Sequence, residues 1–333
     1  MQIHGYAATK PGSELSTHSY EETINEDEVR IKITHCGICH SDIHLIDNDW
    51  QVSNYPFIPG HEIIGVVEEV GTNVKYLQSG QRVGVGWQCS SCHHCEECMS
   101  GEQHNCADNQ PTCIGRNGGY ANNIIVDAQF AIPIPEELTS AQAAPLLCAG
   151  ITVYNPISTY SQPQDAVAVV GIGGLGHLAV SFANARGCHV TAITTSPEKA
   201  EELKELGAHE TINAKNPEEL KEAAGSYDAI YNTAPASLDW NTYIALLKPR
   251  GTFVQLGAGE DLQIPPKALI GADKKIVGSH IGSPAKIQEM LRFAARHNIQ
   301  ARVEEYSLTN VNEALKRARS GEARYRVVLK TEE

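Results

Sequence analysis

"DAVAVVGIGGLGHLAV", residues 165–180, runs from a short apolar strand through four glycines into a helix. Gly171, Gly173 and Gly176 form G-x-G-x-x-G, with Gly174 and Leu175 between the last two. As a bare pattern this is weak, because glycines at such spacing also occur in ordinary turns. Here it follows a strand and opens a helix, which is the context of a dinucleotide-binding turn. Glycines let the backbone approach a pyrophosphate, whose charge sits against the N–H groups of the helix start. Leu175, Leu178, Ala179, Phe182 and Ala183 are spaced along one face of that helix.

Toward the C-terminus the same grammar repeats. HVTAIT (189–194) is a strand, and SPEKAEELKELGA (196–208) a helix with Ser at its start, Pro at the first turn and Gly at its end. NPEELKEAAGS (216–226) is built alike, and YDAIYNTA, TFVQLGA and KIVGSHIG supply further strands. Alternating strands and helices imply a parallel doubly wound sheet. NAD sites of this kind place an acid at the end of the second strand for the ribose hydroxyls. Here Thr194, Thr195 and Ser196 stand there, followed by Lys199. Three hydroxyls and an ammonium suit a 2′-phosphate; alternatively Ser196 caps a helix and Lys199 is a solvated charge. Both roles can coexist, and NADP(H) is the expected cofactor.

Toward the N-terminus, up to about residue 147, short alternating stretches such as EVRIKI, IIGVVEEVG and RVGVGW are separated by Gly, Pro and Asn. They read as a β-rich, barrel-like domain with little helix. Beyond residue 283, SPAKIQEMLRFAARHN, TNVNEALKRARSG and RYRVVLK read as helix, helix and strand. Periodicity does not decide which domain they join. The fold class is therefore α/β, with one β-rich and one doubly wound domain.

The 333 residues suffice for two domains, and a net charge of −14 argues against nucleic-acid or acidic-membrane partners. The N-terminus lacks the apolar core of a signal peptide, and no apolar run is long enough to span a bilayer. A cytoplasmic protein is expected, so the ten cysteines point to metal or catalysis before disulfides. CSSCHHCEECMSGEQHNC (89–106) holds five of them. Cys92, Cys95, Cys98 and Cys106 suit a closed tetrahedral zinc site that contributes folding energy. Spacing alone equally allows a register starting at Cys89, and an iron–sulfur cluster is a lesser alternative. A second set is scattered: CGICHSDIH, PGHE and LLCAG supply Cys36, Cys39, His40, Asp42, His44, His61, Glu62 and Cys148. Two Cys and one His would leave zinc an open position. Singly, Cys148 reads equally as a small core residue and His61 as a turn histidine.

These motifs in this order resemble the zinc-containing medium-chain alcohol dehydrogenases, and among them the cinnamyl-alcohol-dehydrogenase-like aldehyde reductases. CGICHSD, YPFIPGHEIIGVVEEVG, the four-cysteine lobe, GGYA, PLLCAGIT, GIGGLGH, ELGA and RYRVVL carry the resemblance essentially end to end. It implies a GroES-like catalytic domain of residues 1–148 with 283–333, and a Rossmann NADP-binding domain of 149–282. It implies two zinc ions per chain. The catalytic one falls to Cys39, His61 and Cys148, with Glu62 the nearby carboxylate and Asp42 the one orienting the ligand histidine. The structural one falls to Cys92, Cys95, Cys98 and Cys106, leaving Cys36, Cys89, Cys113 and Cys188 as plain thiols. Ser41 and His44 would relay a proton through the nicotinamide ribose hydroxyl. His40 would lie near the pyrophosphate and Thr152 beside the nicotinamide, with Trp50 and Trp87 lining the substrate pocket. The implied activity is reversible hydride transfer between NADP(H) and an alcohol/aldehyde pair, in a homodimer. The rivals are an NAD-dependent zinc polyol or formaldehyde dehydrogenase, and a non-catalytic NADPH-binding sensor.

Overall fold

A computed structural model describes residues 1–235, 237–259 and 261–331. The chain divides into two compact units: Met1–Ile151 with Ile281–Glu333, and Thr152–His280. The last two residues of the 283–333 segment lie outside the described residues.

The first unit is built on the strand Glu28–Ile38, whose Val29, Ile31 and Ile33 point into the core while Arg30 and Lys32 point away. That alternation is what one buried sheet face requires. Its sheet runs in the order Val303–Ser307, Arg326–Lys330, Glu28–Ile38, Glu62–Val70, Arg82–Val85, Ile132–Pro133, with Asn123–Asp127 also paired to Glu28–Ile38. The two C-terminal strands thus join the first unit, the point that periodicity left open. Registers then place chemistry: Gly37 faces Glu62 on one side, and Ile38 faces Val327 on the other. Cys39 and Arg326 follow those pairs at one end of the sheet.

An expectation of little helix in this part misses the helix His40–Asp47, which carries Ser41, Asp42 and His44. Asp42 accepts from the Cys39 N–H at 2.9 Å, closing a capping box in which Cys39 stands where Ser or Thr usually does. At the other end, the Leu45 and Ile46 carbonyls accept from Ser53 Oγ, the Tyr55 hydroxyl and the Gly12 N–H, in addition to the bond Leu45 receives from the Asn48 N–H. Both ends of the helix are therefore tied down.

The second unit is a six-stranded parallel sheet ordered Glu210–Asn213, His189–Thr194, Ala166–Val170, Tyr227–Asn232, Leu247–Gln255, Lys275–Gly278. The strand order reverses between Ala166–Val170 and Tyr227–Asn232, which opens a crevice at the carboxyl ends of those strands. The glycine turn follows the first of these strands and leads into the helix Gly176–Ala185. Leu178, Ala179, Phe182 and Ala183 are buried as the periodicity predicts. Leu175 is the half-buried N-cap, outside the buried stripe. No helix among the described residues is long and apolar enough to cross a membrane.

Candidate active site and metal centres

The ligand atoms of Cys39, His61, Glu62 and Cys148 all lie within 4.8 Å of one another. They arrive from four places: the helix start, the loop before Glu62–Val70, that strand's first residue, and the segment after the turn Ala144–Leu147. His61, Glu62 and Asp42 are fully buried, so each polar atom needs a partner. His61 Nδ1 is 2.9 Å from Asp42 Oδ1, and His61 Nε2 is 3.3 Å from Cys148 Sγ. Asp42 therefore holds the imidazole by Nδ1 and turns Nε2 toward the sulfurs, the nitrogen a metal would take. The same carboxylate accepts from the Gly60 N–H at 3.0 Å, so one side chain caps the helix, holds the loop and orients the imidazole.

Cys148 donates to the Cys39 sulfur, which holds the Cys39 thiol well below its ordinary value and keeps the proton on Cys148. A cation bound by both sulfurs would displace their protons. Burial pushes Glu62 up to about 7 against the pull of the Arg326 guanidinium. Glu62 Oε1 accepts from Arg326 Nη2, while Glu62 Oε2 is buried without a hydrogen-bond partner among the described residues. A Cβ on Gly37 would come within 2.0 Å of that oxygen, so only glycine fits opposite. Two sulfurs, an imidazole nitrogen and an orphaned carboxylate oxygen form a donor set that fits zinc.

Arg326 escapes a reading based on spacing. The only trace it leaves in the sequence is a charge inside the apolar strand RVVL. Asp49 is a second such residue: its carboxylate is 2.7 Å from His44 Nδ1. Ser41 Oγ lies 3.7 Å from Cys39 Sγ, at the same end of the helix as the sulfur cluster. Rings lead outward from His61: Trp87 meets it edge-on at 4.8 Å, Trp50 meets Trp87 at 6.3 Å, and His44 lies 5.3 Å from Trp50. His40 is exposed at the first position of the helix, and Thr152 is half-buried in the helix Ala149–Tyr160.

In the lobe, the sulfurs of Cys92, Cys95, Cys98 and Cys106 come together within 4.8 Å. Sulfurs around a tetrahedral zinc lie about 3.8 Å apart. Cys92 stands 3.9 Å from Cys98 and 3.6 Å from Cys106, so the cage fits that ion. Backbone N–H groups of His94 and Cys95 lower the Cys92 thiol to about 6. Cys89 lies elsewhere: its sulfur accepts from Arg116 Nη1 at 3.0 Å and donates to the Gln110 carbonyl at 3.3 Å. Cys113 is not isolated either, standing 4.0 Å from Asp42 Oδ1. Asp42, His61 and Cys113 form a buried group behind the first cluster.

At the glycine turn, Gly171 has φ +82°, and a Cβ on Gly176 would lie 2.0 Å from the Gly171 carbonyl oxygen. Gly173 has nothing within 4 Å of an added Cβ, so open space lies where a phosphate would approach. The helix start has no side-chain cap; of its first N–H groups, that of His177 donates to the Gly173 carbonyl at 3.1 Å. At the end of the second strand Thr194 is buried and its Oγ1 accepts from the Ser196 N–H at 3.1 Å. Ser196 makes no side-chain capping bond, which removes the capping alternative for its hydroxyl. Thr195 is exposed, and Lys199 ends the short turn Pro197–Lys199. This loop and turn fit a phosphorylated dinucleotide.

Residues 25–136 match the alcohol dehydrogenase GroES-like domain, and residues 174–296 the zinc-binding dehydrogenase domain. An aldehyde reductase, AdhA, of Synechocystis is 42% identical over 330 residues, covering 98% of each chain. A probable cinnamyl alcohol dehydrogenase of rice is 41% identical, covering 99% of this chain and 93% of its own. Among solved structures, a cinnamyl alcohol dehydrogenase of Sorghum bicolor superposes with a TM-score of 0.95 at 39% identity, covering 99% of this chain and 98% of its own. A Helicobacter pylori relative complexed with NADP(H) gives 0.90 at 31% identity, with the same coverage. Likeness of this extent, over both domains and nearly every residue, places the chain in the zinc-binding alcohol dehydrogenase family.

Proposed function

We propose that this protein is an NADPH-dependent zinc alcohol dehydrogenase that works as an aldehyde reductase. The observation that carries the reading is the convergence of Cys39, His61 and Cys148, with Asp42 fixing the imidazole from behind. Two cysteines and one histidine are the donor set associated with the open zinc of alcohol dehydrogenases. A zinc ion held by them would supply a Lewis acid for an aldehyde oxygen. NADPH held at the Gly171–Gly176 turn would supply hydride. Cys92, Cys95, Cys98 and Cys106 would hold a second, structural zinc.

The remaining work belongs to the chain. Ser41 donates a proton to the product oxygen, and His44 resupplies it while Asp49 holds the imidazole by Nδ1. Thr194, Thr195, Ser196 and Lys199 serve the 2′-phosphate; hydroxyls and no carboxylate stand at the strand end itself, 194–196, while Glu198 is exposed in the turn that follows. His40 serves the pyrophosphate and Thr152 the nicotinamide. The bound NADP(H) of the Helicobacter relative supports this choice of cofactor. Trp50 and Trp87 line the approach to the metal, and relatives named for aldehydes and cinnamyl alcohols support a broad aliphatic and aromatic range.

A cytoplasmic homodimer is part of the same proposal. All ten cysteines are free thiols, as suits a reducing compartment. The strand Lys275–Gly278 ends its sheet, and the adjacent helix Pro266–Ile270 buries none of its residues.

The test is NADPH oxidation with aliphatic, aromatic and cinnamyl aldehydes, repeated with Ser41→Ala. Turnover is expected in the wild type and a loss of about 10²–10⁴-fold in the variant, with zinc content and NADPH binding retained. A preference for NADH would favour the polyol or formaldehyde dehydrogenase. Binding of NADPH and two zincs with no aldehyde reduced would favour the sensor.

A further inference from the structure

Thr233 follows the strand Tyr227–Asn232, directly across the sheet's reversal from the glycine turn. Its N–H extends the ladder by one step, donating to the Val170 carbonyl at 2.9 Å. Its hydroxyl is then shared between two successive carbonyls, Val170 at 3.0 Å and Gly171 at 2.5 Å. The side chain is buried, so these carbonyls would have no water to replace it. A Cβ on Gly176 would stand 3.1 Å from the same hydroxyl, and one on Gly171 would stand 2.8 Å from the Ala234 Cβ. Segment 233–234 is therefore the wall on which the turn is moulded.

The consequence follows from peptide geometry. In a trans peptide the Gly171 carbonyl and the Ile172 N–H point in opposite directions. Anchoring the carbonyl to Thr233 turns that N–H away from the sheet and sets the path of the loop to Gly173, where the space is open. We infer that Thr233 is a positioning residue for dinucleotide binding, its hydroxyl holding the Gly171 peptide in the one orientation that presents the loop amides to a pyrophosphate. The pyrophosphate is common to NADPH and NADH, so the effect falls equally on both. The inference rests on the dinucleotide reading of the turn proposed above.

Nicotinamide fluorescence titrations of wild type, Thr233→Val and Thr233→Ser test it, with urea midpoints and zinc content measured beside them. Valine keeps the shape and removes the hydroxyl; serine keeps the hydroxyl. Thr233→Val should weaken NADPH and NADH alike by about tenfold, the size of one hydrogen bond. KM for NADPH should rise with it, while kcat at saturating cofactor and both zincs stay as in the wild type. Thr233→Ser should restore affinity to within about threefold. If Thr233→Val does not fold, Thr233→Ala is read against Thr233→Ser in its place. A lowered urea midpoint with unchanged nucleotide affinity would overturn the inference and leave a purely structural threonine. So would a serine variant as impaired as valine. If the wild type binds neither nucleotide, the dinucleotide reading itself fails, a result distinct from equal binding by all variants.

Discussion

Arg326 and Glu62 are opposite charges buried together beside a cluster of sulfurs, and neither has water to fall back on. Breaking such a pair from one side is far more costly than removing both halves, because the survivor is an uncompensated buried charge. Arg326→Met should therefore destabilise the protein by about 3–5 kcal/mol in urea denaturation, and Glu62→Gln added to it should recover most of the loss. Equal stabilities for the single and double variants would show that the pair does not act as a unit. The fifth thiol of the lobe poses a similar question. Cys89 accepts from Arg116, whose other partners are the Ile125 carbonyl and, at 3.8 Å, Glu22. Cys89→Ala should cost about 1–3 kcal/mol by stranding a guanidinium donor, with metal analysis still finding two zincs. Cys106→Ser should instead lose one zinc and unravel the lobe, since that binding is folding free energy. Loss of zinc from Cys89→Ala and not from Cys106→Ser would mean a different cage.

At the scale of elements, the glycine turn separates two demands that the motif alone merges. Gly176 is required by the fold, because its Cβ would strike the Gly171 carbonyl at 2.0 Å. Gly173 is surrounded by space, so any demand on it comes from the ligand. Gly173→Ala should keep the wild-type melting temperature and weaken NADPH binding at least tenfold, whereas Gly176→Ala should lower both. Calorimetry and fluorescence titration distinguish the two; a destabilised Gly173→Ala would contradict the assignment. The helix His40–Asp47 shows the opposite relation between motif and element. Its residues were legible as chemistry, yet its helical form was not. Eight residues make a short pattern, and an N-cap cysteine is not a usual start signal. Its C-terminal end is held by Tyr55, Ser53 and Gly12, contacts that no local rule anticipates.

On the scale of the whole molecule, the strand Lys275–Gly278 has, among the described residues, a sheet neighbour on one side only, and Ile270 is 76% exposed shortly before it in sequence. Unpaired edges and exposed apolar residues are what a symmetric partner covers. Ile270→Glu with Val277→Lys should convert a dimer to a monomer in sedimentation equilibrium, with the zinc content unchanged; a dimer that persists would place the interface elsewhere. Beyond that surface, the two units differ in what their sequence already contained. The doubly wound sheet was legible because each strand and helix carries its own period, and the glycine turn is local: three residues within six specify its geometry. The cysteine lobe was legible for the same reason, apart from its register, which turned on whether Cys89 faced the cage or Arg116. The first cluster was different. Cys39, His61 and Cys148 are 109 residues apart from first to last, and Arg326 lies 178 residues beyond Cys148. The resemblance to a family named the first three, and nothing in the sequence named Arg326, Asp49 or Cys113 as their neighbours. Those positions depend on antiparallel register, Ile38 against Val327 and Gly37 against Glu62, and on a loop folded back over Asp42. Register is set by the burial of a whole sheet face, a sum over many distant residues, and so only the tertiary structure could decide which charge would meet which carboxylate.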